Sequence, residues 1–573
     1  MAEFSFRSRE QSLTRMSSQT FDVLVIGGGI TGAGVARDAA SRGLSVALVE
    51  KRDFAWGTSS RSSKLIHGGL RYLENWELSL VFEALSERAL LLRTAPHMVR
   101  PLPFFLPVYE GDAHGKGLLN LGLWLYDLLA LFRAPGFHRS LSRKQVLAQL
   151  PFLKKEGLTG GLKYFDASMW DDALAVETLR AAQDGGVAVA NYTEAIEPLW
   201  QGDRVTGYRV RDAESGRDFE VHAQKVVICA GPWTDQVGAK LSPDWKRWLG
   251  PSKGVHLIFD HKKIPVPGAV VMSHPQDGRI SFVIPRPDFG AGVTIVGTTD
   301  APIGADPEKV SIEPNDVSYL MELLQRYFPE LKLSPHDVLS GYVGVRPLMA
   351  QPSHAAENGS EPSGIALQKV SREHHIGSGP GGTVLVAGGK YTTYRRMAQE
   401  IVDFTLMDAA PELRQRATRS KTRGPVNPQG TVNAVRIAQI KARNEGVVVP
   451  RELFERYGAD ALEILKIAAS APAQQADPDG FPCLEAQLRF SMRSGMVMHL
   501  EDFYFRRMPL YSCRADHGVP WCERLAQIWA EERGLDAAAA GLERQRLMDE
   551  ISRRSAWKQS LEVTTQTGTA VKA

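Results

Sequence analysis

The chain has 573 residues, of which 43% are hydrophobic and 23% are charged, a composition typical of globular proteins with roughly two or three domains. Its net charge of +3 argues against a dominant role in nucleic-acid binding, so we predict no nucleic-acid partner. The four cysteines are scattered without a C-x-x-C pair. This pattern fits a reducing compartment and predicts neither a disulfide framework nor a metal site.

The first 20 residues are polar, and their three arginines do not flank an apolar core, so they predict no secretory signal. We predict a disordered extension over residues 1–20, and the sequence leaves open whether this segment is a targeting peptide. No later run reaches the ~18 uncharged apolar residues that a membrane-spanning helix needs. The nearest is residues 118–132, which Asp127 interrupts.

An apolar strand at residues 21–26 leads into the pattern G-x-G-x-x-G. Its glycines are Gly27, Gly29 and Gly32, which permit a tight turn, the close approach of a pyrophosphate and close packing of the next helix on the sheet. A second strand then ends at Glu50, where an acid can accept hydrogen bonds from the ribose hydroxyls of an adenosine. Together these elements predict a dinucleotide-binding α/β domain.

Residues 51–74 follow Glu50 and are rich in glycine, serine and basic side chains. A flexible polar loop is the simplest interpretation of such a composition. We expect an ordered segment instead, because Leu65, Ile66 and Leu70 can anchor it in the core.

The next part of the chain leaves one question open. Residues 76–94 predict an amphipathic helix, and the proline-rich segment after it predicts an irregular edge strand. Residues 118–132 predict a helix with apolar residues nearly all round, and two interpretations have equal weight. It is either a buried core helix, or a helix in a membrane interface with Trp124 and Tyr126 at the level of the lipid headgroups.

The middle of the chain predicts a second, β-rich layer. The strand KVVICAGPW passes through Gly231 and can end beside a bound dinucleotide, and residues 253–300 predict a sheet that forms a roof over the cofactor. Residues 383–396 repeat the order of strand, glycine turn and helix seen near the N-terminus. We therefore expect both ends of this domain to converge on one cofactor.

The last part of the chain predicts a smaller helical unit. Residues 411–430 are predicted to form a basic linker, because arginines are frequent there and proline and glycine follow. Residues 431–557 predict a helical domain, and residues 558–573 predict a disordered tail.

Several motifs together resemble one family, the FAD-dependent glycerol-3-phosphate dehydrogenases. They are IGGGITGAG, SSKLIHGGLRYLE, FDASMWDDALA, ICAGPW, IVGTTD, YVGVRPL and GGKYTTYRRMA. The resemblance covers roughly residues 20–530. It implies an α/β fold in which a Rossmann-like FAD-binding domain, residues 21–410, is interwoven with an antiparallel-sheet substrate domain inserted at residues 75–165 and 235–350. An all-α cap, residues 431–557, completes the implied architecture.

The resemblance also implies partners and a location. It implies oxidation of sn-glycerol 3-phosphate to dihydroxyacetone phosphate with FAD and transfer of the electrons to a membrane quinone, ubiquinone or menaquinone. Such an enzyme is peripheral to a membrane surface. We expect it at the cytoplasmic face of the bacterial inner membrane or in the cytoplasm, and the sequence leaves open whether it forms a homodimer.

A phosphate monoester near pH 7 carries almost two negative charges, so its binding requires Arg and Lys side chains. The family pattern supports Arg346 and Arg372 as phosphate clamps, and Arg71 is a further candidate. Tyr72 is expected to orient the substrate. Lys390 is expected to polarise the substrate hydroxyl or to stabilise the negative charge of the reduced flavin.

We assign catalysis to His256, Lys390 and Arg346. An imidazole titrates near the working pH, so either His256 or His67 can be the base, and we favour His256 while His67 is expected to neighbour the flavin. The predicted cofactor contacts are Gly27, Gly29, Gly32, Glu50, Thr58, Ser59, Ser60, Ser63, Lys64, Leu65, His67, Gly231, Gly388, Gly389 and Thr392.

Three other functions are compatible with parts of this pattern. The first is an oxidase that gives its electrons to oxygen, which the sequence distinguishes poorly from a quinone-linked enzyme. The second is an amino-acid or amine oxidase of the same flavin class, which needs one carboxylate-binding arginine rather than a cationic cluster. The third is a flavin-carrying scaffold without activity, which the intact Arg346, Lys390 and His256 argue against.

Overall fold

The structure, a computed structural model, describes residues 3–73, 76–131, 133–275, 277–304, 306–350, 374–473 and 475–560, with the backbone alone at positions 71 and 72. The strands in chain order are β1 Thr20–Ile26, β2 Val46–Val49, β3 Leu65–Ile66, β4 Val99–Tyr109, β5 Arg139–Ser142, β6 Leu158–Met169, β7 Ala188–Ala190, β8 Thr193–Gln201, β9 Arg204–Asp212, β10 Asp218–Ile228, β11 Ser252–Asp260, β12 Ala269–Ser273, β13 Ile280–Arg286, β14 Val293–Gly297, β15 Ala301–Pro302, β16 Val338–Arg346, β17 His375–Ser378 and β18 Val384–Ala387.

The helices in chain order are α1 Phe6–Ser18, α2 Ile30–Ser41, α3 Leu78–Thr94, α4 Lys116–Leu129, α5 Arg143–Gln149, α6 Asp171–Asp184, α7 Thr234–Leu241, α8 Pro314–Tyr327, α9 Tyr394–Met407, α10 Pro411–Arg416, α11 Val432–Asn444, α12 Arg451–Tyr457, α13 Ala461–Ser470, α14 Leu484–Ser494, α15 Leu500–Asp502, α16 Leu510–Cys513, α17 Cys522–Arg533 and α18 Ala537–Ser555. Short 3-10 turns connect several of them.

The first sheet has the strand order β17-β18-β10-β1-β2-β7, with β9 paired to β10 and β8 to β9. Strand β1 pairs in parallel with β10 and β2, so Ile26 lies beside Ile228 and Val49. Every residue of β1 after Thr20 is buried, as expected for an apolar strand in a parallel sheet covered by helices. The carboxyl ends of β1, β2, β10 and β18 meet at one edge, where open α/β sheets bind their ligands.

The second sheet has the order β15-β11-β14-β13-β12-β4-β6-β3, with β16 paired to β11 and β5 to β6. Its strands come from residues 65–169 and 252–346, so strands β7 to β10 of the first sheet separate its two parts along the chain. Leu257 of β11 packs in one core with Leu320 and Leu324 of α8. The two sheets are therefore interwoven in sequence, which is the architecture that the resemblance implies.

The proline-rich segment after α3 is not the edge strand that we predict. It forms β4, which pairs with β6 along its length and with β12 at Phe104 and Phe105. Pro101, Pro103 and Pro107 occupy alternating positions, so all three missing amides fall on the same edge of β4. The other edge is thereby able to pair along the whole strand.

The predicted disorder of residues 1–20 is wrong, because residues 6–18 form α1. Ser5 caps this helix by accepting a hydrogen bond from the backbone of Arg7 at 3.1 Å. Leu13 and Met16 are buried, and so is Arg9, which forms an ion pair with Asp212 of β9. The composition gave no sign of this helix, since it buries polar side chains through specific partners instead of presenting an apolar stripe.

Residues 411–430, predicted as a linker, pack closely on the first domain. They contain the short helix α10, and Arg37 of α2 donates hydrogen bonds to the carbonyl oxygens of Gly424 and Pro425 at 3.1 and 3.0 Å. Most of the predicted tail, residues 561–573, lies outside the described residues. At its start, Lys558 donates a hydrogen bond to the carbonyl oxygen of Leu339.

Helices α11 to α18 make up the C-terminal part of the chain, and a buried charge cluster ties them to the first domain. Arg507, in a π-helical turn over residues Phe503–Arg507, forms an ion pair with Asp53 at 2.8 Å, and Arg506 contacts the same carboxylate. The hydroxyl of Tyr192 donates to Asp502 at 2.6 Å. All five side chains are buried, so the contact between the two units excludes water.

Helix α4 contradicts one of the two interpretations of residues 118–132, the buried core helix, because it is buried on one face alone. Leu123 and Tyr126 face the core. Four apolar side chains on the opposite face are more than half exposed, namely Leu118 at 60%, Leu121 at 65%, Trp124 at 57% and Leu128 at 54%. A core helix would not expose this stripe. In the described part of the chain, no helix is long and apolar enough to cross a bilayer.

Candidate active site

A cavity of about 380 Å³ is lined by residues of both sheets. The first sheet contributes the turn after β1 and the ends of β2, β10 and β18, and the second contributes β11 and β16. The segment between β2 and β3 supplies further lining residues. The ligand-binding edge of the first sheet therefore faces side chains of the second.

The turn after β1 depends on glycine. Gly27 has a φ of +112°, and a Cβ atom there would lie 2.5 Å from the carbonyl oxygen of Cys229. A Cβ atom at Gly32 would lie 1.9 Å from the carbonyl oxygen of Gly27, so α2 can start this close to β1 only without a side chain there. Gly32 is outside the cavity lining, and its role is this contact between helix and strand.

Glu50, just after β2, lines the cavity and is held against the glycine turn. Its carboxylate accepts hydrogen bonds from the backbone nitrogens of Gly28 at 2.7 Å and Arg52 at 2.9 Å. Burial raises the pKa of Glu50 above its usual value. Each carboxylate oxygen keeps a further lone pair, so this group can also accept hydrogen bonds from ribose hydroxyls.

Two of the predicted hydroxyl contacts line the cavity and also fix its shape. Thr58 donates a hydrogen bond to the carbonyl oxygen of Val345 at 2.5 Å, which joins the loop to β16. Ser59 accepts one from the backbone nitrogen of Ile30 at 2.9 Å, at the first turn of α2. Each hydroxyl oxygen can still bond to a ligand.

Ser60 and Lys64, like Gly32, are predicted cofactor contacts that lie outside the cavity lining. The ammonium group of Lys64 forms a buried ion pair with Asp171 at 2.5 Å. Ser62 donates to the same carboxylate at 2.7 Å. These contacts fasten the loop to the start of α6, so the charge of Lys64 is used inside the protein and is not presented to a ligand.

His256, on β11, lines the cavity but is only 3% exposed. Its Nε2 atom lies 2.9 Å from the hydroxyl oxygen of Ser63, and its ring stacks on Tyr342 with centroids 4.8 Å apart. Burial, and then the charges of Arg346 and Lys64, lower the pKa of His256 to about 3. The imidazole is therefore neutral at neutral pH.

Arg346, the last residue of β16, lines the same cavity. Its guanidinium forms an ion pair with Asp300 at 3.1 Å and donates to the hydroxyl of Thr298 at 3.1 Å. It also donates to the carbonyl oxygens of Lys253 and Thr299. The cation is thus rigidly placed in the wall of the cavity, with a carboxylate as its counter-ion.

Lys390 lies in the lining immediately before a 3-10 turn at Tyr391–Thr393. The hydroxyl of Thr392 exchanges hydrogen bonds with the backbone of His67, both at 3.3 Å. Tyr391 donates to the backbone oxygen of Asp171. The loops after β3 and β18 are therefore fixed to each other, as the predicted convergence of both chain ends on one site requires.

The cavity brings together most of the predicted site. Its lining contains Gly27, Gly29, Glu50, Thr58, Ser59, Ser63, Leu65, His67, Gly231, His256, Arg346, Gly388, Gly389, Lys390 and Thr392. Arg372 lies outside the described residues, and the side chains of Arg71 and Tyr72 are not described.

Trp56 and Arg61 are among the lining residues that sequence reasoning missed. The guanidinium carbon of Arg61 lies 4.6 Å from the centroid of the Trp56 ring. A signal was available for Arg61, because it stands among the hydroxyl residues of TSSRSSK that we selected as ligand contacts. No local signal distinguished Trp56.

Comparison with known proteins identifies the family. A family model described as FAD dependent oxidoreductase matches residues 22–395, and one described as the C-terminal domain of alpha-glycerophosphate oxidase matches residues 431–540. The aerobic glycerol-3-phosphate dehydrogenase of Staphylococcus haemolyticus is 36% identical over 511 residues, which cover 87% of this chain and 88% of the relative. The chain belongs to the FAD-dependent glycerol-3-phosphate dehydrogenase family.

Other members of the family agree with this assignment. The aerobic glycerol-3-phosphate dehydrogenase of Bacillus subtilis is 34% identical, and the match covers 88% of this chain and 90% of the relative. A crystal structure of the glycerol-3-phosphate dehydrogenase from Bacillus halodurans complexed with FAD superposes with a TM-score of 0.74 at 29% identity, covering 96% of this chain and 98% of that one. The predicted fold class and the FAD cofactor are confirmed.

The residues of this family member fit FAD on structural grounds as well. The positive φ of Gly27 and the space left by the missing side chain at Gly29 form a cradle beside the start of α2, which suits a diphosphate. Glu50 lies in the cavity lining, where its carboxylate can accept hydrogen bonds from the hydroxyls of a ribose. The turn with Gly388 and Gly389, both at positive φ, completes the lining from β18.

Proposed function

We propose that this chain oxidises sn-glycerol 3-phosphate to dihydroxyacetone phosphate with FAD and passes the electrons to a membrane quinone, ubiquinone or menaquinone. One observation carries the proposal: the glycine turn of the first sheet and the basic side chains Arg346 and Lys390 line a single cavity. A dinucleotide and a small phosphate ester can therefore lie against each other. The names of the relatives, aerobic glycerol-3-phosphate dehydrogenases, support this substrate.

The wall formed by β11 and β16 supports binding of a phosphate ester. Arg346 is fixed by Asp300, Thr298 and backbone oxygens, so its guanidinium presents a positive charge in the cavity wall that attracts a phosphate group. Lys390 adds a second positive charge from the first sheet. In this proposal Arg372, Arg71 and Tyr72 complete the substrate site.

The oxidation also requires a proton acceptor for the substrate hydroxyl. FAD, when bound, supplies the acceptor for the hydride, which side chains cannot take. His256 suits the proton, because its imidazole is neutral and its Nε2 atom is oriented by Ser63 at 2.9 Å. A phosphate dianion beside Arg346 would offset one of the charges that lower the pKa of His256, and so would strengthen it as a base.

Helix α4 supports a membrane location. Its exposed stripe of Leu118, Leu121, Trp124 and Leu128 is amphipathic and carries an aromatic residue suited to the headgroup level. Basic side chains stand at its start and shortly after its end, at Lys116 and at positions 133, 139 and 143. We propose that this face lies on an anionic phospholipid surface, at the cytoplasmic face of a bacterial membrane, where a quinone can be reached. The same proposal includes a homodimer of this chain on that surface.

The deciding experiment mixes the purified yellow protein with glycerol 3-phosphate in the absence of oxygen. We expect the flavin absorbance at ~450 nm to bleach, and a quinone analogue to restore it faster than oxygen does. The test variant is Arg346→Gln, which should need far more substrate for the same bleaching. The matched control is Arg326→Gln, which changes an exposed arginine of α8 and should behave as the parent protein.

Two results would change the proposal. Faster recovery of the flavin absorbance with oxygen than with quinone would favour the oxidase. This candidate is supported by the C-terminal family model, which is described as a domain of alpha-glycerophosphate oxidase. Absence of bleaching with FAD bound would exclude glycerol 3-phosphate as the substrate. Bleaching by amino acids or amines in that case would identify an oxidase of that type.

A further inference from the structure

Two arginines share one aromatic ring beside the cavity. The guanidinium carbons of Arg52 and Arg61 lie 4.2 and 4.6 Å from the centroid of the Trp56 ring. Both contacts have the geometry of a cation–π interaction. The two side chains differ, however, in their acidic partners and in whether they line the cavity.

Arg52 has an acidic partner, whereas Arg61 is bonded to none among the described residues. Arg52 forms an ion pair with Glu308 at 3.0 Å, is 43% exposed and is outside the cavity lining. Arg61 belongs to the lining, and within the described part of the chain its side chain has neither an ion pair nor a hydrogen bond. Its guanidinium lies over Trp56, which also lines the cavity, and in the described residues no carboxylate is bonded to it.

The surroundings of Arg61 increase this imbalance of charge. Burial, and then the charges of Arg554 and Arg506, lower the pKa of Arg61 to about 9. The carboxylate of Glu550 acts in the opposite direction, but it is bonded to Arg553 at 2.7 Å and to Arg554 at 2.6 Å. A partly buried cation among other cations is costly unless an anion compensates it.

We propose that Arg61 binds phosphate oxygens of a ligand in the cavity. The common chemistry is a phosphate oxyanion, which two ligands of this site contain, the diphosphate of FAD and the phosphate group of the substrate. The first source follows from the family, and the second rests on the proposed function. Arg61 has the fork of N–H donors that a phosphate requires, and it lies three residues after Thr58 in the loop that closes the cavity.

The test compares Arg61→Gln and Arg61→Lys with Arg52→Gln, which removes the other guanidinium over the same ring. FAD is stripped from each protein, and its dissociation constant is measured from the quenching of flavin fluorescence. Inorganic phosphate is then titrated into each FAD-loaded protein, and its dissociation constant is read from the change in flavin absorbance. Neither measurement requires turnover.

For Arg61→Gln we expect one of the two dissociation constants to rise about tenfold or more. Arg61→Lys should recover part of the loss, and Arg52→Gln should stay within about twofold of the parent protein. A rise for FAD alone identifies the diphosphate, and a rise for inorganic phosphate alone identifies the substrate subsite.

The proposal is overturned if Arg61→Gln changes neither constant, or if Arg52→Gln weakens binding to the same extent. A parent protein that fails to oxidise glycerol 3-phosphate would contradict the proposed function and the assignment of a substrate subsite, and it would leave the result for the diphosphate of FAD unaffected.

Discussion

At the scale of single residues, the charges of the cavity wall are set by their neighbours. Arg346 is held by Asp300, and its positive charge, together with burial, keeps the imidazole of His256 neutral. Ser63 orients that imidazole through Nε2. The three side chains therefore act as a unit in which a change at Arg346 alters the proton affinity of His256.

Replacing Arg346 by Gln should raise the KM for glycerol 3-phosphate about 10- to 100-fold, because charge-assisted hydrogen bonds to the phosphate are lost. The measurement is steady-state kinetics with a quinone analogue. An unchanged KM would remove Arg346 from the phosphate site. Arg326→Gln, an exposed arginine, should leave the KM as it is.

His256 should make the folded protein sensitive to acid. Its pKa is about 3 in the folded state, whereas an unfolded imidazole has a pKa of ~6.5, so the unfolded chain binds more protons below that pH. Stability contributed by the neutral imidazole is complete above pH ~6.5 and is lost as the pH falls from there toward ~3.

We therefore expect the parent protein to lose up to ~1.4 kcal/mol more stability per pH unit than His256→Gln between pH ~6 and ~4. Urea unfolding at several pH values measures the difference. The control is His336→Gln, at an exposed position. Parallel pH curves for the parent and His256→Gln would contradict the lowered pKa.

At the scale of elements, α1 and α4 show how burial depends on partners and not on composition. Helix α1 has a polar sequence and is nevertheless packed on the first sheet, because Arg9 finds Asp212 and the backbone of Asn191. Helix α4 has an apolar sequence and nevertheless exposes one face. For α1 the sequence alone predicted disorder, and for α4 it left two interpretations with equal weight, so in both cases the neighbouring elements decided which residues are buried.

Replacing Arg9 by Met should destabilise the protein by ~3–5 kcal/mol, because it leaves Asp212 buried without its counter-ion. Arg7→Met serves as the control, since Arg7 is exposed on the same helix. Thermal unfolding of both variants gives the comparison. Equal midpoints for the two would mean that α1 contributes little to the fold.

Replacing Leu121 and Trp124 together by Glu should reduce binding to vesicles that contain anionic phospholipid about tenfold or more, since the apolar face can no longer enter the interface. Cosedimentation measures the binding. Trp200→Glu is the matched control, because Trp200 is 45% exposed on β8, outside α4. Bleaching of the flavin by substrate should be the same in all three proteins, and unchanged vesicle binding would exclude α4 as the contact.

At the scale of the whole molecule, the C-terminal helices are attached through a buried carboxylate. Burial alone would raise the pKa of Asp53, but Arg507 and Arg506 lower it, so the carboxylate is ionised between two cations. Breaking one side of such an arrangement leaves uncompensated charge in the interior. The interface therefore depends on a residue only three positions after Glu50, in the cofactor domain.

Replacing Asp53 by Asn should lower stability by ~3–5 kcal/mol and loosen the C-terminal helices, because Arg506 and Arg507 lose their shared acid. Faster tryptic cleavage within residues 411–431, together with a lower melting temperature, is the expected result. Asp479→Asn, at an exposed position, should change neither. Slow cleavage in the Asp53 variant would show that apolar packing holds the interface instead.

The sequence by itself determined the cofactor turn, because Gly27, Gly29 and Gly32 lie within one short segment whose conformation depends on local sterics. It also determined the alternation of strands and helices and the family. Only the tertiary structure decided that Ser63 meets His256, 193 positions later. Lys64 was predicted as a ligand contact and proved to be a partner of Asp171, since a charge selects its counter-ion through space and leaves no local pattern. For the same reason the burial of α1 and the uncompensated charge of Arg61 became visible only once the distant neighbours were in place.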